Sequence, residues 1–138
     1  MSLSDYPKMT EKDALLMNML QLAYVGDAVW ELMIRHELIR QGKNVHHMHS
    51  DCIRYVNAHA QASFAEALQE TLSERERDVI RRGRNAHARH PAPKNQNPED
   101  YSAATGFEAL IGFLYLTGQE ERLKEIMKTI LGGQKQDG

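Results

Sequence analysis

Leu22-Ala23-Tyr24-Val25-Gly26-Asp27-Ala28-Val29-Trp30 is an apolar run holding one carboxylate, and Ala103-Ala104-Thr105-Gly106-Phe107-Glu108-Ala109-Leu110-Ile111-Gly112-Phe113-Leu114 is a second. A lone ionised carboxylate moved into apolar surroundings costs several kcal/mol unless it is paired, hydrogen-bonded or bound to a metal. A glycine closely precedes each acid and lets backbone or ligand approach. If the two runs form helices that pack together, Asp27 and Glu108 meet and can hold a cation. Asp27 has a local alternative: Gly26 can break one helix, with Asp27 starting the next, where a helix N-terminus favours it. Glu108 falls beyond the usual capping position of its helix, and its alternative is a glutamate reaching out to the surface. Glu31, one turn beyond Asp27, can extend the acidic patch.

Outward from these runs, nearly every segment has helical spacing. Ala14 to Leu22 carries a broad apolar face, and Gly26 to Arg40 continues it through Val29, Leu32, Met33 and Ile39 until Gly42. Val45 to Glu70 reads as one long alanine-rich helix. Ser73-Glu74-Arg75-Glu76 is a capping box that starts a helix running to about Asn85. The stretch from His87 to Pro98 holds three of the four prolines and has no periodicity, so it reads as a loop. Helix resumes near Ser102, ends after Leu116 at Gly118, and is followed by an amphipathic helix from Glu120 to Leu131. No alternating β-branched run and no Asn-Gly or Asp-Gly hairpin competes, so the expected fold class is all-α. The expected layout is an extension over residues 1–12, one domain over 13–131 and a flexible tail over 132–138.

At 138 residues the chain suits one domain with a real core. Phe107 to Leu116 is the longest apolar stretch, too short to span a membrane. The N-terminus lacks the pattern of a signal peptide. Cys52 stands alone, which excludes an internal disulfide and a cysteine-based zinc site. A cytoplasmic location follows as the default expectation. The net charge of −2 is unevenly spread. From Arg75 to Lys94 six arginines and one lysine face only Glu76 and Asp78, a local charge of +5, so the rest of the chain carries −7. Such a concentrated segment suits phosphate binding, and equally a solvated charged helix followed by a loop.

Two carboxylates without cysteine point to a hard cation, Mg²⁺ or Mn²⁺. His46, His47, His49 and His59 offer a rival metal site, but their spacing lacks a His-Glu-x-x-His pattern and spreads around the helix. Exposed residues at a helix start are the competing role for them. Cys52 has no neighbour suited to nucleophilic chemistry and reads as structural.

Taken together, Leu22 to Glu31, Arg82-Gly83-Arg84-Asn85-Ala86 and Phe107-Glu108-Ala109-Leu110-Ile111-Gly112 resemble the catalytic domain of the ribonuclease III family. The resemblance spans Leu16 to Leu131. With no double-stranded-RNA-binding domain attached, the chain looks most like the small bacterial Mini-III subfamily, associated with trimming precursor 23S ribosomal RNA. The resemblance implies an all-helical homodimer that hydrolyses both strands of duplex RNA, leaving 5′-phosphate and 3′-hydroxyl ends. It implies Asp27 and Glu108 as catalytic residues and as ligands of Mg²⁺, with Mn²⁺ a substitute. A duplex is recognised through phosphates and 2′-hydroxyls, and Arg81, Arg82, Arg84, Asn85, Arg89 and Lys94 are the expected contacts. A ribosomal protein is an imaginable presenter of the substrate. Two positions depart from the wider family. Ala23 and Thr105 stand where the larger enzymes carry two further acids, which keeps a non-catalytic RNA-binding or ribosome-associated protein as the alternative reading.

Overall fold

The computed structural model describes residues 6–86 and 92–136, and among them it contains seven α-helices and no strand. They are α1 (Glu11–Leu15), α2 (Met19–Arg40), α3 (Val45–Val56), α4 (Ala58–Leu68), α5 (Glu74–Asn85), α6 (Pro98–Leu116) and α7 (Glu120–Gln136). A 3₁₀ turn, Gln69–Thr71, follows α4. The fold class is all-α, as expected.

Helix ends follow local chemistry. The stretch Ala14 to Leu22 is divided, because Asn18 turns extended and caps α2 in a capping box with Gln21. Val45 to Glu70 divides in the same way at Asn57. Its backbone is extended (φ −80°, ψ 157°), its Oδ1 accepts from the Ala60 N–H at 2.8 Å, and its Nδ2 donates to the Ile53 carbonyl at 2.9 Å. The capping box at Ser73 and Glu76 is formed as the sequence predicts. α6 starts at Pro98, earlier than Ser102, with Asn97 as its cap and proline in its first turn. α7 continues past Leu131 to Gln136. Residues 87–91 of the predicted loop lie outside the described residues.

α6 is the axis of the molecule. Ala103 to Phe107 and Ala109 to Leu114 are all buried, with α2, α4 and α5 packed around them and α1 and α7 touching as well. Around Phe107 the rings of Trp30 and Phe64 close the core, Trp30 meeting Phe107 edge to face at 5.0 Å. The Trp30 indole N–H donates to the Tyr55 carbonyl at 2.8 Å, so its burial leaves no polar group unpaired. Each such fully buried large side chain contributes about 2–3 kcal/mol of apolar burial.

Two glycine contacts let the helices approach this closely. A Cβ placed on Gly26 of α2 would lie 1.7 Å from the backbone oxygen of Glu108, and one on Gly112 of α6 would lie 1.9 Å from that of Leu22. α2 and α6 therefore cross backbone against backbone. α5 meets α6 similarly, where Gly83 faces Gly106. No helix among the described residues is long and apolar enough to cross a membrane.

Candidate active site

The crossing of α2 and α6 also positions the acids. Asp27 follows Gly26 directly, and Glu108 lies one turn before Gly112, so the two carboxyl groups face each other beside the point of closest approach. The two acids are electrostatically coupled. Asp27 sits in the middle of α2, not at a helix start, and it is exposed. It stands at the edge of the buried face of α2, with Ala23 one turn before it and Trp30 one turn after it both buried. Glu108 is the partly buried member of the pair. Burial first, then the charge of Asp27 and the hydrogen bond to it, push the Glu108 carboxyl up to about 8. At neutral pH the pair therefore keeps one proton, as two acids in contact must when no cation separates them.

Both acids line a cavity of about 690 Å³ between α2, α4 and α6. Ala23 and Thr105 line it too, so the two positions where the larger ribonuclease III enzymes carry acids face the same space. Thr105 Oγ1 donates to the Tyr101 carbonyl at 3.0 Å. Glu31 turns away: it pairs with Arg35 at 3.0 Å and lines a different groove beside Cys52. Cys52 is buried, and that burial pushes its thiol up, aided by Glu31 and opposed by the hydrogen bond to Arg35. Among the described residues, no group of three or more His, Cys, Asp or Glu side chains is arranged to hold a metal, neither at His46, His47 and His49 nor here. The donor set is thus two carboxylates. That fits a hard divalent cation completing its shell with water and phosphate oxygens, and such an ion would take the place of the shared proton.

The expected RNA contacts among the described residues divide into three groups. Arg82 is turned inward, donating to the Leu15 carbonyl at 2.7 Å and tying α5 to the end of α1. Arg81 pairs with Asp78 on its own helix, though it stays exposed. Arg84, Asn85 and Lys94 are exposed and carry no such tie to another described residue, with Arg84 and Asn85 lining a separate groove of about 300 Å³ beside Arg77. Arg89 lies outside the described residues. Sequence reading missed the other polar groups around the acidic cavity: Asn57, Gln61, Asn97 and Asp100, with Tyr24 at its rim. Gln61 had a legible signal, a polar residue within an alanine-rich buried run.

An all-helical domain with two facing acids, an arginine-rich fifth helix and this order of motifs defines one class of protein. The chain belongs to the ribonuclease III domain family, whose model matches residues 20–119. More particularly, it is similar to Mini-ribonuclease 3 of Symbiobacterium thermophilum, 50% identical over 110 residues that cover 79% of this chain and 84% of that protein. Mini-ribonuclease 3 of Clostridium tetani is 45% identical over 124 residues, covering 88% of this chain and 82% of that one. The crystal structure of a Fusobacterium nucleatum protein is similar with a TM-score of 0.79 and 30% identity, across 88% of this chain and 98% of that chain.

Proposed function

We propose that this chain is a Mg²⁺-dependent, double-strand-specific endoribonuclease of the cytoplasm that acts as a homodimer and matures the ends of precursor 23S ribosomal RNA. The observation that carries the reading is the meeting of Asp27 and Glu108 on one cavity, in a chain that resembles Mini-ribonuclease 3 along most of its length. Asp27 and Glu108 would hold the ion. Bound there, Mg²⁺ supplies neutralisation of charge on the scissile phosphate and a more acidic water, and Mn²⁺ can substitute. Glu108 gives up its proton as the ion binds. The exposed Arg84, Asn85 and Lys94 grip the backbone of the duplex, with Arg81 and Arg89 alongside, while Arg82 supports them from within. Binding then weakens steeply with salt.

The outer face of α2 supports the homodimer. Tyr24 is 84% exposed and Leu32 56%, with exposed Ala28 one turn from each. A contiguous exposed apolar face of this kind marks a contact surface. Because Tyr24 also lines the cavity, a second copy seated there would reach the rim of the site. Tyr24→Lys is expected to shift the protein toward monomer in analytical ultracentrifugation.

The decisive experiment incubates the protein with long duplex RNA, with and without Mg²⁺, and maps the ends. Cleavage with 5′-phosphate and 3′-hydroxyl ends is expected only with the metal. Asp27→Asn and Glu108→Gln should still bind duplex RNA but cut it roughly 10²–10³-fold more slowly or worse. Near-wild-type cleavage by Glu108→Gln would remove that residue from the site. A precursor 23S substrate, alone and on ribosomal particles, then tests the physiological RNA and whether a ribosomal protein presents it.

A further inference from the structure

The cavity that holds the paired acids has a second side, lined mostly by amide groups. The start of α4 brings Asn57, His59 and Gln61 to it, and the start of α6 brings Asn97 and Asp100. α4 has 11 residues, and its start presents the partial positive charge of a helix N-terminus, whereas the first N–H groups of α6 are taken up by Asn97. His59 Nδ1 lies 3.1 Å from Asp100 Oδ2, which orients a ring that remains largely exposed and engages the acid on this side.

Gln61 stands behind them. It is 2% exposed, and its Nε2 is the buried side-chain polar atom without a hydrogen-bond partner among the described residues. Leaving an amide donor buried and unpaired costs about 1–3 kcal/mol. Its helix neighbours Phe64, Ala65 and Leu68 are apolar and buried, so packing alone favours leucine or methionine at this position. The amide answers a need that the protein by itself does not display.

We propose that Gln61 is a substrate-binding residue, donating through Nε2 to a non-bridging oxygen of the phosphodiester next to the scissile one, in a subsite completed by His59 and the start of α4. The inference rests on the endoribonuclease reading and adds to it a place for a second phosphate of the cut strand. The paired acids suit a cation, and on the other side the Gln61 amide and the start of α4 offer donors to an anion, as a metal-bound phosphate followed by its neighbour requires. A volume of about 690 Å³ lies within the range of sites that hold small ligands.

The test uses the full chain with Gln61→Leu and Gln61→Met, which keep volume and remove the amide, and with His59→Ala on the exposed ring. Melting temperature should stay level or rise for both Gln61 variants, because an unpaired buried donor has gone. KM for a short duplex RNA, and Kd for it in Ca²⁺, should rise about tenfold with kcat little changed, the loss of one hydrogen bond to a charged group. His59→Ala should give a smaller rise of the same kind. On a duplex with one neutral methylphosphonate beside the mapped cleavage site, the wild type should lose as much, and Gln61→Leu should lose nothing further. Wild-type affinity in both Gln61 variants, or a further full loss on the modified duplex, would overturn the subsite. So would a fall in melting temperature for both, which reveals a partner inside the protein. Failure of the nuclease reading looks different: the wild type then leaves duplex RNA uncut in Mg²⁺, while the comparison of affinities in Ca²⁺ still decides the role of Gln61.

Discussion

Glu108 and Glu76 are both glutamates drawn out of water, and their surroundings drive them in opposite directions. At Glu108, burial, the charge of Asp27 and the hydrogen bond to it all favour the neutral form, up to about 8. At Glu76 burial also pushes upward, but the paired Arg122 and the backbone N–H of Ser73 outweigh it and hold the carboxyl below its ordinary value. Between an ordinary value of 4.5 and about 8, folded Glu108 keeps a proton that the unfolded chain has released, so its contribution to stability falls as pH rises through that window. Glu76 acts the other way: its contribution is present above the ordinary carboxylate range and is lost as pH falls through its lowered value. In metal-free protein, Glu108→Gln should therefore raise the melting temperature at pH 8 and lose that advantage toward pH 5; a gain independent of pH would show that the carboxyl carries no such burden. Mg²⁺ must displace the same proton, so its affinity, followed by calorimetry, should climb with pH up to about 8. The oddity of Glu108 is legible in the sequence, because apolar residues flank it on every side of its helix. The exposure of Asp27 is not. The outer face of α2, with Tyr24, Ala28 and Leu32, is nearly as apolar as the inner one, so hydropathy cannot tell which way the aspartate points.

Between elements, a few small residues decide what is possible. Gly26→Ala places a methyl group against the Glu108 backbone, which cannot move aside as a side chain would. The expected loss is about 3 kcal/mol or more, at the upper end of overpacking costs. Gly42, at φ 76° with nothing within 4 Å of a Cβ, offers the control: Gly42→Ala should cost only about 1–2 kcal/mol of backbone strain. Urea unfolding separates the two, and equal losses would mean that the crossing can relax. The helices themselves were largely legible, since their periodicity is strong and Ser73 with Glu76 spells out a capping box. Their breaks were less so. Asn18, Asn44, Asn57 and Asn97 all serve as N-caps, and two of them sit inside runs whose apolar spacing continues across the break. An asparagine can accept from the next turn or simply ride on a helix surface, and which it does depends on the packing beyond it.

Across the whole molecule, one ion pair fastens the final helix. Arg122 of α7 makes a two-pronged contact with Glu76 at 2.8 and 3.0 Å and donates to the Thr71 carbonyl at 3.0 Å. Arg122→Ala leaves a buried carboxylate alone and should cost about 3 kcal/mol, whereas replacing exposed Lys124 should cost almost nothing. Equal stability of the two variants would show that α7 is held by its apolar face alone. The acids depend on none of these outer contacts. Their separation is set where the α2 and α6 backbones touch, at the centre of the core, and the core cannot loosen there without coming apart. The acidic pair is therefore brought together by the fold of the chain itself. Heat should inactivate and unfold the protein in a single step, the two curves lying on top of each other, because the backbone contact that places the acids belongs to the core itself.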